Sequence, residues 1–143
     1  MVYIHKETYD IFKSVVSPFE PLDTMYFRVD ELIALPIQAL NRKGYITEFS
    51  CSGHPFSEMA LPKEFFGKMK EDSNRSYIIF KEGISIPYLP TGFKRSEQKT
   101  DLIQDNRLII EYFYDDKPVY DFYLDIIKKM EELYIWALDL PLH

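Results

Sequence analysis

Apolar and polar residues follow two different periods along this chain, and the two periods predict a mixture of strands and helices. Short apolar or alternating runs at residues 2–5, 25–29, 45–50, 77–80 and 107–114 are typical of β-strands. Longer runs with apolar residues three or four positions apart predict helices. We therefore expect an α+β fold, with a small sheet of three to five strands, packed helices and a long C-terminal helix.

A central helix is predicted to follow Asp30, whose side chain suits the N-cap position. The apolar residues of this helix recur at i, i+4 and i+7, namely at Ile33, Ile37 and Leu40. Because proline lacks an amide hydrogen, Pro36 predicts a bend or a restart within this stretch. Gly44 is predicted to end the helix in a left-handed conformation.

The longest helix is predicted to follow the turn at Pro118 and to run to about Leu138. Its apolar residues suggest a single buried stripe, made of Val119, Phe122, Tyr123, Ile126, Ile127, Met130, Leu133, Tyr134 and Ala137. The sequence shows no heptad and no exposed apolar stripe. A homodimer is possible for such an acidic, aromatic-rich chain, but the pattern does not indicate an interface.

Other stretches have a less regular pattern. Apolar residues within residues 9–16 predict a short helix, and a second short helix is expected from Pro62. Residues 83–92 contain two prolines and predict an extended connection. Residues 93–105 are polar and charged, which is typical of a mobile loop.

Composition restricts the possible functions. The 143 residues predict a single domain, 1–143, and the net charge of −6 argues against broad nucleic-acid binding. A single cysteine allows no internal disulfide, which is typical of a reducing cytosol. The N-terminus lacks a signal-peptide pattern and no apolar run reaches bilayer length, so we expect a cytoplasmic protein with no membrane partner.

The candidate chemistry lies in one short loop, Ser50-Cys51-Ser52-Gly53-His54. Cys51 and His54 are close enough in sequence for the histidine to activate a thiolate nucleophile. The same Cys-x-x-His spacing could hold half of a metal site, but the sequence nominates no further ligands, and we predict neither a metal nor a cofactor.

Two further interpretations of this loop remain open. Ser50, Ser52 and Gly53 are small, and successive amides in a turn can bind a phosphate or carboxylate. Alternatively, Cys51 is a small buried residue at the end of a core strand, and the glycine permits the turn. The structural interpretation is the more common one for a lone cysteine, and the anion-binding interpretation is the strongest of the functional ones.

The run LNRKGYITEFSCSGHP, followed by SYIIF and PYLPTGF, resembles a group of small proteins from Firmicute chromosomes and phages. The resemblance covers residues 36–93, and its Cys-x-Gly-His run is the most specific part. The resemblance implies the order of the elements and a mobile-element context. It implies no mechanism, because the group has no established activity. The string Ser50 to Gly53 is also similar to a motif of wybutosine-synthesising protein 3, a tRNA methyltransferase, in which arginine usually stands where this chain has His54.

The sequence therefore predicts a non-catalytic binding module. Its Cys51–His54 loop, with the polar loop at residues 93–105, would bind a small anionic ligand or a protein partner. The alternative is a small enzyme that uses Cys51 and His54, or one that modifies a nucleotide or tRNA.

Overall fold

The structure is a computed structural model that describes residues 2–12, 25–53, 74–96 and 107–143. Within these ranges seven strands form two antiparallel sheets, and two α-helices accompany them. The predicted α+β class and the long C-terminal helix are confirmed. The predicted helix after Pro62 and residues 97–105 of the predicted polar loop lie outside the described residues.

The first sheet contains β1 (Val2–His5), β2 (Ile11–Phe12) and β3 (Tyr26–Val29), in the order β2-β1-β3. The strand predicted at residues 2–5 is confirmed. The helix predicted over residues 9–16 is wrong at its start, because Ile4 pairs with Ile11 across a tight turn. Tyr9 has a φ of 59° in that turn, a left-handed conformation that ends any local helical path. Residues 13–16 lie outside the described ranges.

A 3₁₀ turn at Glu31–Ile33 leads directly into α1 (Ala34–Arg42). This change of helix type is the restart that Pro36 predicts, and the proline lies in the first turn of α1, where a missing amide hydrogen costs little. Gly44 adopts a φ of 94°, as predicted for the residue that ends the helix.

The second sheet is built from β4 (Thr47–Cys51), β5 (Arg75–Phe80), β6 (Lys94–Arg95) and β7 (Ile109–Phe113), in the order β4-β5-β7-β6. The strands predicted near residues 45–50, 77–80 and 107–114 are therefore present. The register between β4 and β5 shifts between Thr47 and Phe49. Phe49, which borders this irregularity, is 58% exposed.

The C-terminal helix α2 (Val119–Asp139) packs against α1 and completes the core. Its buried residues are Phe122, Ile126, Met130, Leu133, Trp136 and Ala137. Beyond α2, the Tyr45 hydroxyl donates to the carbonyl of Pro141 at 2.8 Å, and the amide of His143 donates to the carbonyl of Lys43 at 2.8 Å. These bonds attach the C-terminus to the end of α1. In the described parts of the chain, neither helix is long and apolar enough to cross a membrane.

Candidate functional site

The loop that carries the candidate chemistry leaves the end of β4. Cys51 is the last residue of that strand and pairs with Tyr77, while Ser52 is buried. Gly53 has a φ of 88°, and a Cβ at this position would lie 3.3 Å from the carbonyl oxygen of Arg75. Glycine is therefore required here for its conformation and for the close approach of β5.

Asp30 holds this loop from the first sheet. Its Oδ2 atom accepts a hydrogen bond from the backbone amide of Ser52 at 3.0 Å, and the Ser52 hydroxyl lies 3.3 Å from the same oxygen. Asp30 does stand at the N-cap position of the 3₁₀ turn, but its side chain makes no capping bond. The carboxylate links β3 to the loop instead.

Behind the loop, two buried hydroxyl groups continue the network. The Ser76 hydroxyl donates to the carbonyl of Ser52 at 2.7 Å, and it lies 2.7 Å from the Tyr114 hydroxyl. Because the single Ser76 proton goes to a carbonyl, Tyr114 must donate the second bond. Burial raises the pKa of Tyr114 well above its usual value, so this phenol stays protonated.

The Cys51 thiol is in the wrong environment for a nucleophile. Burial raises its pKa from 9.0 to about 11, and the neighbouring Asp30 carboxylate acts in the same direction. The amide of Gly53, which donates to the Cys51 Sγ atom at 3.4 Å, and the positive charge of Arg75 oppose this shift without overcoming it. At neutral pH the group is a thiol rather than a thiolate.

A partly buried ion pair lies on the same sheet. Arg75 Nη1 is 3.0 Å from Glu111 Oε2, and the Glu111 side chain is only 6% exposed. The Arg75 guanidinium also lies 4.8 Å from the ring centre of Tyr77. This pair satisfies a carboxylate that would otherwise be buried and unpaired.

The loop residues nominated from the sequence come together only in part. Ser50 is half-buried and pairs with Ile78, and Cys51, Ser52 and Gly53 follow it into the network. His54 lies outside the described residues. The described amides of Ser52 and Gly53 already donate to Asp30 and Cys51, and a carboxylate occupies the position that an anion would take. Among the described side chains, no group of three or more His, Cys, Asp or Glu could hold a metal ion.

Sequence reasoning missed Ser76, Glu111 and Tyr114, and it suggested Arg75 only as a cation that could add charge near the loop. Glu111 stands inside an otherwise apolar strand, and Arg75 begins another such strand. Opposite charges in two apolar strands are a sequence signal for cross-strand pairing. Ser76 and Tyr114 left no comparable signal, because their partners depend on the strand register.

A second candidate site is a surface rather than a loop. Six large apolar side chains of α2 are 40% to 73% exposed and share one side of the helix, and we call them the exposed apolar face: Tyr120, Tyr123, Leu124, Ile127, Ile135 and Leu138. Helical spacing also places the exposed Glu131 within this face, whereas the other charged residues of the helix lie outside it. The single buried stripe predicted for this helix is therefore wrong for Tyr123 and Ile127, and also for Val119, which is 46% exposed.

A shallow apolar groove adjoins this face where α1 and the 3₁₀ turn meet α2. It has a volume of about 170 Å³ and is lined by Leu32, Leu35, Pro36, Ile127, Met130, Glu131 and Tyr134. Leu35 is itself 50% exposed, so the apolar surface extends from α2 onto α1.

Comparisons of the chain with protein-family models, curated proteins and solved structures gave no match.

Proposed function

We propose that this protein is a non-catalytic binding module whose partner is another protein, bound through the exposed apolar face of α2. The observation that carries the proposal is the exposure of six large apolar side chains on one side of a 21-residue helix. Scattered apolar residues are normal on protein surfaces, but a cluster of large exposed apolar side chains is typical of an interaction site.

The loop after β4 supports the choice of the helical face, because the polar groups of Ser52 already bond within the protein. Ser52 is 2% exposed, and its amide, carbonyl and hydroxyl all have partners within the protein. The raised pKa of Cys51 does not favour thiolate chemistry, and the nearby Asp30 carboxylate does not favour an anionic ligand. The described part of the loop joins the two sheets, whereas six large apolar side chains of α2 are exposed.

The proposal is tested by placing a photoreactive phenylalanine analogue at single positions and irradiating cells that express the protein. Tyr120 and Ile135 are 73% and 68% exposed on the apolar face, so the analogue at either position should give covalent protein adducts. Phe49 provides a matched control, because it is an apolar residue of β4 that is 58% exposed beside the loop.

The two surfaces make opposite predictions in this experiment. Adducts from positions 120 and 135 that clearly exceed those from position 49 would support the helical face. Adducts from position 49 alone would move the contact surface to the loop edge and overturn the proposal. An absence of adducts at 120 and 135 would also overturn it.

A further inference from the structure

We infer that the exposed apolar face binds a second copy of this chain, with the two α2 helices antiparallel about a two-fold axis that crosses the face at the level of residue 129. The inference rests on the proposed function and names its partner. A two-fold interface uses the same surface on both copies, so the surface must be complementary to itself when one helix is reversed.

The spacing of the face meets this requirement. When Glu131 and the half-buried Tyr134 are included, the face reads the same from either end about Lys129. The corresponding positions are Tyr120 with Leu138, Tyr123 with Ile135, Leu124 with Tyr134, and Ile127 with Glu131. In an antiparallel pair each apolar side chain of the face except Ile127 therefore lies at the same level along the helix axis as an apolar side chain of the other copy, and Ile127 lies level with Glu131.

Glu131, the single acidic residue of the face, lies close to a positive charge of the second copy in this arrangement. In the same register Glu131 lies level with Ile127 of the second copy, so Lys128 of that copy is one residue away along the axis, a shift of about 1.5 Å. Lys128 and Glu131 are both exposed, and the two-fold axis creates this contact twice. A parallel arrangement would instead place the two copies of Glu131 side by side.

The area available is of the size that a dimer needs. Taking about 200 Å² for a fully exposed large side chain, the six residues of the face supply roughly 600 Å² per chain. Leu35 and the groove beside α1 add to this area. A stable interface uses about 800 Å² from each partner, so the face and the adjoining part of α1 together reach that range.

The register is tested by directed disulfide formation between chains carrying Tyr120→Cys and chains carrying Leu138→Cys. When the two variants are mixed and oxidised, a disulfide-linked dimer should form in good yield. Tyr120→Cys alone should not cross-link, because the two copies of position 120 would be about 27 Å apart along the helix axis. Efficient cross-linking of Tyr120→Cys alone would indicate a parallel pair and overturn the inference.

Two controls isolate the face from general reactivity. Asp121→Cys shifts the thiol by one residue to the charged side of α2, so it should cross-link poorly with Leu138→Cys. The unsubstituted chain, treated in the same way, shows whether Cys51 contributes. Equal yields from Asp121→Cys and Tyr120→Cys would mean that the cross-link reports random collision.

Sedimentation of the unsubstituted protein gives the independent measurement. It should sediment as a dimer, and the double variant Leu124→Glu, Ile135→Glu should sediment as a monomer with an unchanged circular dichroism spectrum. A monomeric unsubstituted protein overturns the inference. If position 120 still gives photo-adducts of another mass, the proposed function stands with a different protein as partner. If it gives none, both fail.

Discussion

The loop after β4 and the exposed apolar face of α2 differ in how many of their side-chain contacts the fold itself provides. The loop has polar groups of the kinds found in active sites, yet the described ones are bonded to Asp30, Ser76 and each other. The apolar face of α2 has no nucleophile or metal ligand of the kind found in the loop, but six of its large apolar side chains are 40% to 73% exposed. Reactive residue types therefore indicate a functional site only when the fold leaves their polar groups without internal hydrogen bonds. Substitutions near the loop should therefore alter stability, and substitutions on the face should alter association.

The largest effect is expected from Arg75→Met. This change keeps the aliphatic stem but leaves the buried Glu111 carboxylate unpaired, which should lower the free energy of unfolding by about 3 kcal/mol. The control is Arg42→Met, because Arg42 pairs with Asp10 at the surface and its loss should cost about 0.5 kcal/mol. Urea denaturation measures both. Equal costs would show that the sheet does not depend on the pairing of Glu111 with Arg75.

A smaller effect is expected from Gly53→Ala. The added Cβ meets the Arg75 carbonyl at 3.3 Å and the Tyr114 ring at 3.4 Å, in a backbone conformation that already disfavours alanine. We expect a loss of about 2 to 3 kcal/mol. Gly83→Ala is the matched control, since Gly83 has nearly the same φ and no atom within 4 Å, and it should cost about 1 kcal/mol.

Thermal and urea unfolding measure the stability of these two variants. Because both glycines have nearly the same φ, the difference between the two losses gives the cost of the steric contacts at Gly53 alone. If Gly53→Ala lowers the free energy of unfolding by more than Gly83→Ala does, the close packing of β5 and Tyr114 on the loop is confirmed. If the two substitutions cost the same, the loop is loosely packed, and the contrast between loop and helix fails.

The smallest effect concerns the proton of Cys51. Because its pKa in the folded protein is about 11, above the ordinary 9.0, the unfolded chain releases this proton first as the pH rises. The stabilising contribution of the thiol is therefore fully present below pH 9 and is lost between pH 9 and 11. The difference in unfolding free energy between the unsubstituted chain and Cys51→Ala should shrink between pH 8 and pH 10.

The rate of alkylation of Cys51 tests the same raised pKa independently. In the folded protein at pH 8, a pKa of about 11 should make the thiol about a hundredfold slower to react than an ordinary cysteine. Rapid alkylation with an apparent pKa below 8.5 would instead revive the nucleophile interpretation of the loop.

Much of the fold could be predicted because local pattern decides local structure. The strands at β1, β4, β5 and β7 and the restart near Pro36 all follow from periods and residue types that act within a few residues. The first failure was at β2, where Ile11 and Phe12 resembled a helical pattern but pair with β1. Pairing with a strand outside the segment overrode the local preference.

The candidate site was less predictable than the fold. The sequence indicated the loop and its glycine, but it also suggested Asp30 as a helix cap. The Asp30 carboxylate instead accepts a hydrogen bond from Ser52 across 22 residues. This contact depends on how the two sheets pack and not on the residues next to Asp30 in sequence.

The position and length of α2 follow from the sequence alone, which suggests one buried stripe along the helix. Which of its apolar residues are covered depends on the packing of α2 against the rest of the fold. The core has room for one side of the helix, so Phe122, Ile126 and Leu133 are buried, while Tyr120, Ile135 and Leu138 stay exposed. Periodicity is a property of one element, whereas burial is a property of the elements that pack against it.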